Sequence, residues 1–197
     1  PMDSSTCAHG GCIVLSDQVE DGLNWLYSRK LNDVSWEVHS VDLSKNEEVW
    51  LVIGSTGIHA PTHEQVAKVA SLLEENPDKM REIETIGIVA RRGIAALLRG
   101  DMKSVGRAMS ENHLLLRSLG VSCPELESLI SAAAPTSLGV KLTGAGGGGC
   151  MIALTEDPKA TSEAIELAGG RTLISKLGAD GMRVDSDRGV PLWNPYE

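Results

Sequence analysis

The sequence predicts an α+β fold, and three observations carry the prediction. Strand-like and helix-like segments are clustered, not alternating: three strands, then four helices, then strand, strand, helix, strand. The helical segments repeat apolar residues at three- and four-residue spacing between recognisable start and stop residues. Finally, Gly144-Ala145-Gly146-Gly147-Gly148-Gly149-Cys150, with five glycines in seven residues, joins two short apolar segments at 138–142 and 150–154.

Residues 12–16 follow a Gly10-Gly11 turn and read as a short buried strand. Residues 36–43 form the second expected strand, and the wholly apolar 49–53, ending at Gly54, the third. After a loop over 55–61, Thr62 stands where an N-cap belongs, ahead of a helix over 63–73 with Val66, Val69, Ala70 and Leu73 on one face. A long helix is expected over 77–98, with Ile83, Ile86, Ile94 and Leu97 as its apolar set and Gly87 and Gly93 marking close packing. Gly100 ends it, Asp101 caps the next helix to about residue 119, and Gly120 stops that one. The fourth helix covers 122–133, with Pro124 in its first turn and Pro135 beyond its end. Strands at 140–143 and 150–154 flank the glycine run. A helix over 158–168 closes at Gly169-Gly170, 171–176 is the last strand, and 186–197 reads as a tail.

The 197 residues suffice for one large domain or two small ones, and 42% apolar with 23% charged residues is ordinary for a globular protein. Phe is absent and aromatics are 3%, so aliphatic side chains must fill the core. A net charge of −9 argues against a nucleic-acid surface. It remains compatible with a phosphorylated ligand, because bound Mg²⁺ reverses a local field. No apolar run approaches the ~18 residues of a membrane span. No signal peptide is visible, and a cytoplasmic location is expected. Cys7, Cys12, Cys123 and Cys150 match no paired metal-binding pattern, and Cys7, His9 and Cys12 leave a structural zinc one ligand short. Reduced thiols and no metal site are therefore expected. The chain opens on Pro1 directly into functional-looking sequence, and reads as a piece of a longer one.

The glycine run admits two physical readings. It is either a flexible turn between two strands, or a side-chain-free loop whose successive N–H groups form a nest for an anion. Lys141-Leu142-Thr143-Gly144-Ala145-Gly146-Gly147-Gly148-Gly149-Cys150 resembles the third signature motif of the GHMP kinases, in the form that mevalonate kinases carry. Galactokinases usually hold a bulky residue within this run, and here there is none. Residues 1–11, with Asp3 ahead of Gly10-Gly11, resemble the segment carrying the catalytic aspartate in archaeal-type mevalonate kinases. Residues 54–69, 111–122 and 178–184 also have the look of that family, so the likeness extends to about Asp185.

The resemblance implies a GHMP kinase C-terminal domain over 47–185, with helices on a small antiparallel, ferredoxin-like sheet. It makes 1–46 the end of an N-terminal S5-like domain. It implies ATP-dependent phosphorylation of the 5-hydroxyl of mevalonate, a step of isoprenoid biosynthesis. Asp3 becomes the catalytic base, able to take or orient a hydroxyl proton. Thr62, Ala145 and Gly146 become substrate contacts, and Gly144, Gly147 and Gly148 contacts to the cofactor. The family's Ser-rich phosphate loop and its Mg²⁺ ligands are not in this sequence, so ATP and Mg²⁺ would be held mostly by groups outside it. This chain alone is expected to give no turnover and weak nucleotide binding. Other readings stay open: a phosphomevalonate or sugar kinase of the same fold, or an inactive fragment whose loop senses an anion or packs a homodimer. Asp3 also reads as a plain helix N-cap. His113 reads as a satisfied, partly buried histidine, Arg91 and Arg92 as solvent-facing, and His59 and His63 as flanking the Thr62 turn.

Overall fold

In the computed structural model, which describes residues 2–31, 33–44 and 48–182 (with the side chains of Met2, Asp3 and Leu31 outside that description), the chain divides into two compact units. The first comprises Pro1–Val41 and Gly178–Glu197, the second Asp42–Leu177. The boundary expected near residue 46 and the tail expected over 186–197 lie outside the described residues.

The first unit contains α1 (Met2–His9) and three strands, β1 (Ile13–Ser16), β2 (Asn24–Leu31) and β3 (Val34–Ser40). They form an antiparallel sheet in the order β1-β3-β2. Neither α1 nor β2 is evident from the sequence. In β2 the register against β3 shifts between Trp25 and Tyr27. That irregularity breaks the two-residue alternation by which a strand is recognised. The Gly10-Gly11 turn has a definite cause. Both residues have positive φ, and a Cβ on Gly10 would lie 2.1 Å from the Gly181 nitrogen. Gly11 N–H donates to the Ala179 carbonyl (2.8 Å), and Met182 N–H to that of Cys7 (2.9 Å). The glycines thus let backbone run against backbone at the end of α1.

The second unit runs β4 (Trp50–Ser55), α2 (Thr62–Glu75), a 3-10 turn at Pro77–Lys79, α3 (Met80–Leu98), α4 (Met102–Ser118) and α5 (Pro124–Ala133). A second 3-10 turn at Ala134–Thr136 leads to β5 (Gly139–Thr143), β6 (Cys150–Thr155), α6 (Pro158–Leu167) and β7 (Arg171–Lys176). The sheet order is β5-β6-β4-β7, with every neighbouring pair antiparallel. This is the β-α-β-β-α-β order of a ferredoxin-like fold, its first crossover enlarged to four helices. The α+β expectation holds.

Two local expectations are corrected. Thr62 does not cap α2. The cap is Pro61, whose carbonyl accepts the Glu64 N–H (3.2 Å) and which makes no side-chain cap bond, so Thr62 is the first helical residue. The single helix expected over 77–98 is a 3-10 turn followed by α3. Asp101 does cap α4, accepting the Ser104 N–H at 3.0 Å.

The core lies in the second unit. Leu126, Leu129, Ile130 and Ala133 of α5 and Ile165 of α6 pack on Val52, Val140, Leu142, Met151 and Ala153 of the sheet. Helix α4 covers the free edge of β5. Ser110 Oγ accepts the Val140 N–H (3.1 Å), and His113 Nδ1 accepts the Leu142 N–H in a longer bond of 3.5 Å. Strand-edge donors that would otherwise invite another strand are thereby used. The approach requires glycine on both sides: a Cβ on Gly139 would lie 1.9 Å from the Gly106 carbonyl oxygen.

Candidate active site

The glycine loop between β5 and β6 is anchored more firmly than a flexible turn. Gly144, Gly146, Gly147, Gly148 and Gly149 all have positive φ, between 72° and 153°. Two of them, Gly146 and Gly148, also sit where neighbouring backbone leaves no room for a side chain, and Gly147 sits against the end of the Gln65 side chain. A Cβ on Gly146 would lie 2.0 Å from the Val121 carbonyl oxygen, one on Gly147 2.5 Å from Gln65 Nε2, and one on Gly148 2.9 Å from the Ile58 carbonyl oxygen. The loop is therefore wedged between the turn after α4, the turn after β4 and the first turn of α2. Its amides share in this. Gly147 N–H donates to Val121 (2.7 Å) and Gly149 N–H to Ile58 (2.8 Å). Thr56 returns two bonds to the Gly149 carbonyl, from its N–H (2.9 Å) and its hydroxyl (3.0 Å).

Gly147, one of the three glycines expected to contact the cofactor, gives its N–H to the Val121 carbonyl. Gly148 packs against Ile58. Gly144, by contrast, has nothing within 4 Å of its Cβ position. Gly144 and Ala145 line an apolar cavity of about 270 Å³ with Gln65, Val69, Ile83 and Val121. Gln65 was not singled out from the sequence. Its Oε1 is buried and has no hydrogen-bond partner among the described residues, which makes it an unused acceptor at this wall. Thr62 is exposed and lies three residues before Gln65, on the same helix face. The sequence signal for Gln65 was that i, i+3 relation to Thr62.

Behind the loop, a polar clamp holds β5. His113, 3% exposed, receives Leu142 N–H on Nδ1 and faces Glu127 Oε1 from Nε2 at 3.0 Å. With Nδ1 accepting, Nε2 carries the proton and donates to the carboxylate. Burial pushes His113 below its ordinary 6.5, only partly opposed by the Glu127 carboxylate. At Glu127, burial pushes the carboxyl up, but the Ser122 hydroxyl (2.5 Å), His113 and Arg117 outweigh it and leave it below its ordinary value. His113 is a buried strand clamp, where the sequence suggested a satisfied, partly buried histidine. Arg92 pairs with Glu111, while Arg91, His59 and His63 are exposed.

Asp3 stands in the first turn of α1; its side chain lies outside the described residues. All four cysteines are free. Among the described residues no group of three His, Cys, Asp or Glu side chains is placed to hold a metal ion. No described helix is long and apolar enough to cross a membrane.

Fold and loop together define a class: a ferredoxin-like α+β domain whose β5–β6 hairpin presents an anchored glycine loop beside an apolar cavity. Residues 94–168 match the family model described as GHMP kinases C terminal, and the chain carries a GHMP kinase C-terminal domain. It is 38% identical over 146 residues to the mevalonate kinase of Pyrococcus furiosus, covering 70% of this chain and 44% of that protein. It is 35% identical over 147 residues to human galactokinase, covering 70% of this chain and 37% of that protein. Among solved structures it resembles L. major mevalonate kinase in complex with R-mevalonate, with a TM-score of 0.60 at 30% identity, over 72% of this chain and 43% of that one. The chain spans under half the length of the curated relatives it matches.

Proposed function

We propose that this chain is the C-terminal part of a cytoplasmic, ATP- and Mg²⁺-dependent kinase that phosphorylates the 5-hydroxyl of mevalonate. One observation carries the choice of substrate. The loop has no room for a side chain at Gly146 or Gly148, where a Cβ would meet the Val121 and Ile58 carbonyl oxygens, and at Gly147 a side chain would have to adopt a positive φ and displace the end of Gln65. A loop of the galactokinase kind, with a bulky residue in the run, does not fit these surroundings. The identities alone discriminate poorly, at 38% against 35%.

Under this proposal the loop shapes the substrate wall at Gly144, Ala145 and Gly146. Thr62 and the free N–H groups at the start of α2 receive a substrate oxygen. Asp3 accepts the hydroxyl proton as the oxygen attacks phosphorus. Bound ATP supplies the phosphoryl group, and catalysis otherwise rests on positioning and charge neutralisation. No Mg²⁺ ligand is assigned to the described residues.

The test joins this chain to the N-terminal half of the Pyrococcus furiosus enzyme and measures ADP release with mevalonate, phosphomevalonate and galactose. Mevalonate-dependent release is expected. Release with galactose or phosphomevalonate alone overturns the substrate. In the same protein, Asp3→Asn is expected to lower turnover by about 10²-fold or more, the scale of general-base loss. Unchanged turnover would falsify that role.

A further inference from the structure

A second cavity lies away from the glycine loop, between α3, α4 and β5. It encloses about 260 Å³ and is walled by Val89, Leu97, Val105 and Met109, with Asn112 and Lys141 as its polar groups. Lys141 lies between Val140 and Leu142, which both enter the core against α5 and α6, so strand alternation turns it away from that core, and it lines the cavity beside α3 and α4. Among the described residues its ammonium has no hydrogen-bond or ion-pair partner. Burial pushes it below its ordinary 10.5. Folding a lysine into an apolar wall without a counter-ion is unfavourable unless the charge is met by something else.

We propose that this cavity binds a small aliphatic anion, with a short hydrocarbon chain along Val89, Leu97, Val105 and Met109 and a carboxylate or phosphate head on Lys141. The Asn112 amide, which lines the same cavity, is the second group for that head. The cavity is just below the ~300–1,000 Å³ of drug-sized sites, which restricts the occupant to a small molecule. Charge complementarity selects an anion, and the walls select an apolar body. The proposal is independent of mevalonate phosphorylation, and its test needs no turnover.

The test titrates the full chain with octanoate, octyl phosphate, octanol and octylamine, followed by calorimetry and by the thermal midpoint. Saturable binding of octanoate or octyl phosphate is expected, with octanol and octylamine weaker by about ten-fold or more, the scale of one hydrogen bond to a charged group. The two anions distinguish a carboxylate site from a phosphate site. Lys141→Met is expected to reduce the anion to the level of octanol, and Lys141→Arg to keep the preference for the anion. Should Lys141→Met not fold, Ala90→Trp fills the cavity from its rim and is expected to abolish anion binding with Lys141 intact. Equal binding of octanoate and octanol overturns the proposal. So does unchanged anion binding in Lys141→Met or Ala90→Trp, or the absence of saturable binding by either anion.

Discussion

Glycine does different physical work in two neighbouring regions of the second unit. Where α4 crosses β5, Gly106 and Gly139 have ordinary backbone angles, and their need for glycine is contact alone: a Cβ on Gly139 would lie 1.9 Å from the Gly106 carbonyl oxygen, and one on Gly106 2.2 Å from that of Leu138. In the loop at 144–149, every glycine has positive φ, but only Gly146, Gly147 and Gly148 also meet neighbours. Gly144 and Gly149 have open space where a side chain would point. Contact glycines hold the scaffold together. A glycine that needs only its φ, and faces open space, is the kind that leaves backbone accessible to a ligand.

Variants can break or sharpen this contrast. The largest effect is expected at the scaffold. Gly139→Val drives a branched side chain into the Gly106 peptide, and a loss of about 4 kcal/mol or more is expected from such backbone overlap. Urea unfolding would measure it, and a shift under 1 kcal/mol would show that α4 yields easily. Next comes Gly146→Ala, which combines a φ of 84° with a Cβ 2.0 Å from Val121 O. About 3 kcal/mol is expected from strain and clash together. Gly144→Ala carries only the conformational part, about 1–2 kcal/mol. In the chimeric kinase its KM for mevalonate should rise by more than its stability falls. If instead stability falls and KM holds, Gly144 belongs with the scaffold glycines.

The smallest effect is a pH dependence at the His113 clamp. Its pKa is lowered in the folded chain, so the unfolded chain binds the proton more readily. Its contribution to stability is complete above the unfolded value of 6.5 and is lost as pH falls through the lower folded value. Glu127, also lowered, adds a further loss, in a window that opens below its ordinary 4.5. The urea midpoint should therefore begin to fall below about pH 6.5 in the parent chain. Its slope between pH 7 and 5.5 should flatten in His113→Gln. An equal slope in both would remove His113 as the cause.

Much of this molecule was legible in its sequence. Helices α4, α5 and α6 were read from apolar spacing and from Asp101, Pro124 and Gly169, because cap and breaker chemistry acts within a turn of the chain. The two strands around the glycine run were bounded to within a residue or two, since glycine marks their ends. Strand β2 was missed because its bulge between Trp25 and Tyr27 spoils alternation. Thr62 was misplaced by one residue because a proline can supply the cap carbonyl without a capping side chain. At the site, the glycine loop was evident, but the partners of each glycine were not. Val121, Ile58 and Gln65 lie between about 25 and 90 residues away in sequence, and no local pattern points to them.

By itself, the sequence determined the α+β class, the limits of α4, α5 and α6 to within about two residues, and the presence of a glycine loop between two strands. These rest on local sterics and hydrogen bonding, which short stretches settle alone. Only the tertiary structure decided which glycines serve packing and which face open space, that the Gly147 amide is given to Val121, and that Lys141 stands in an apolar cavity without a counter-ion among the described residues. Those depend on which distant segments meet, and close packing allows one side chain, or none, at each point of contact.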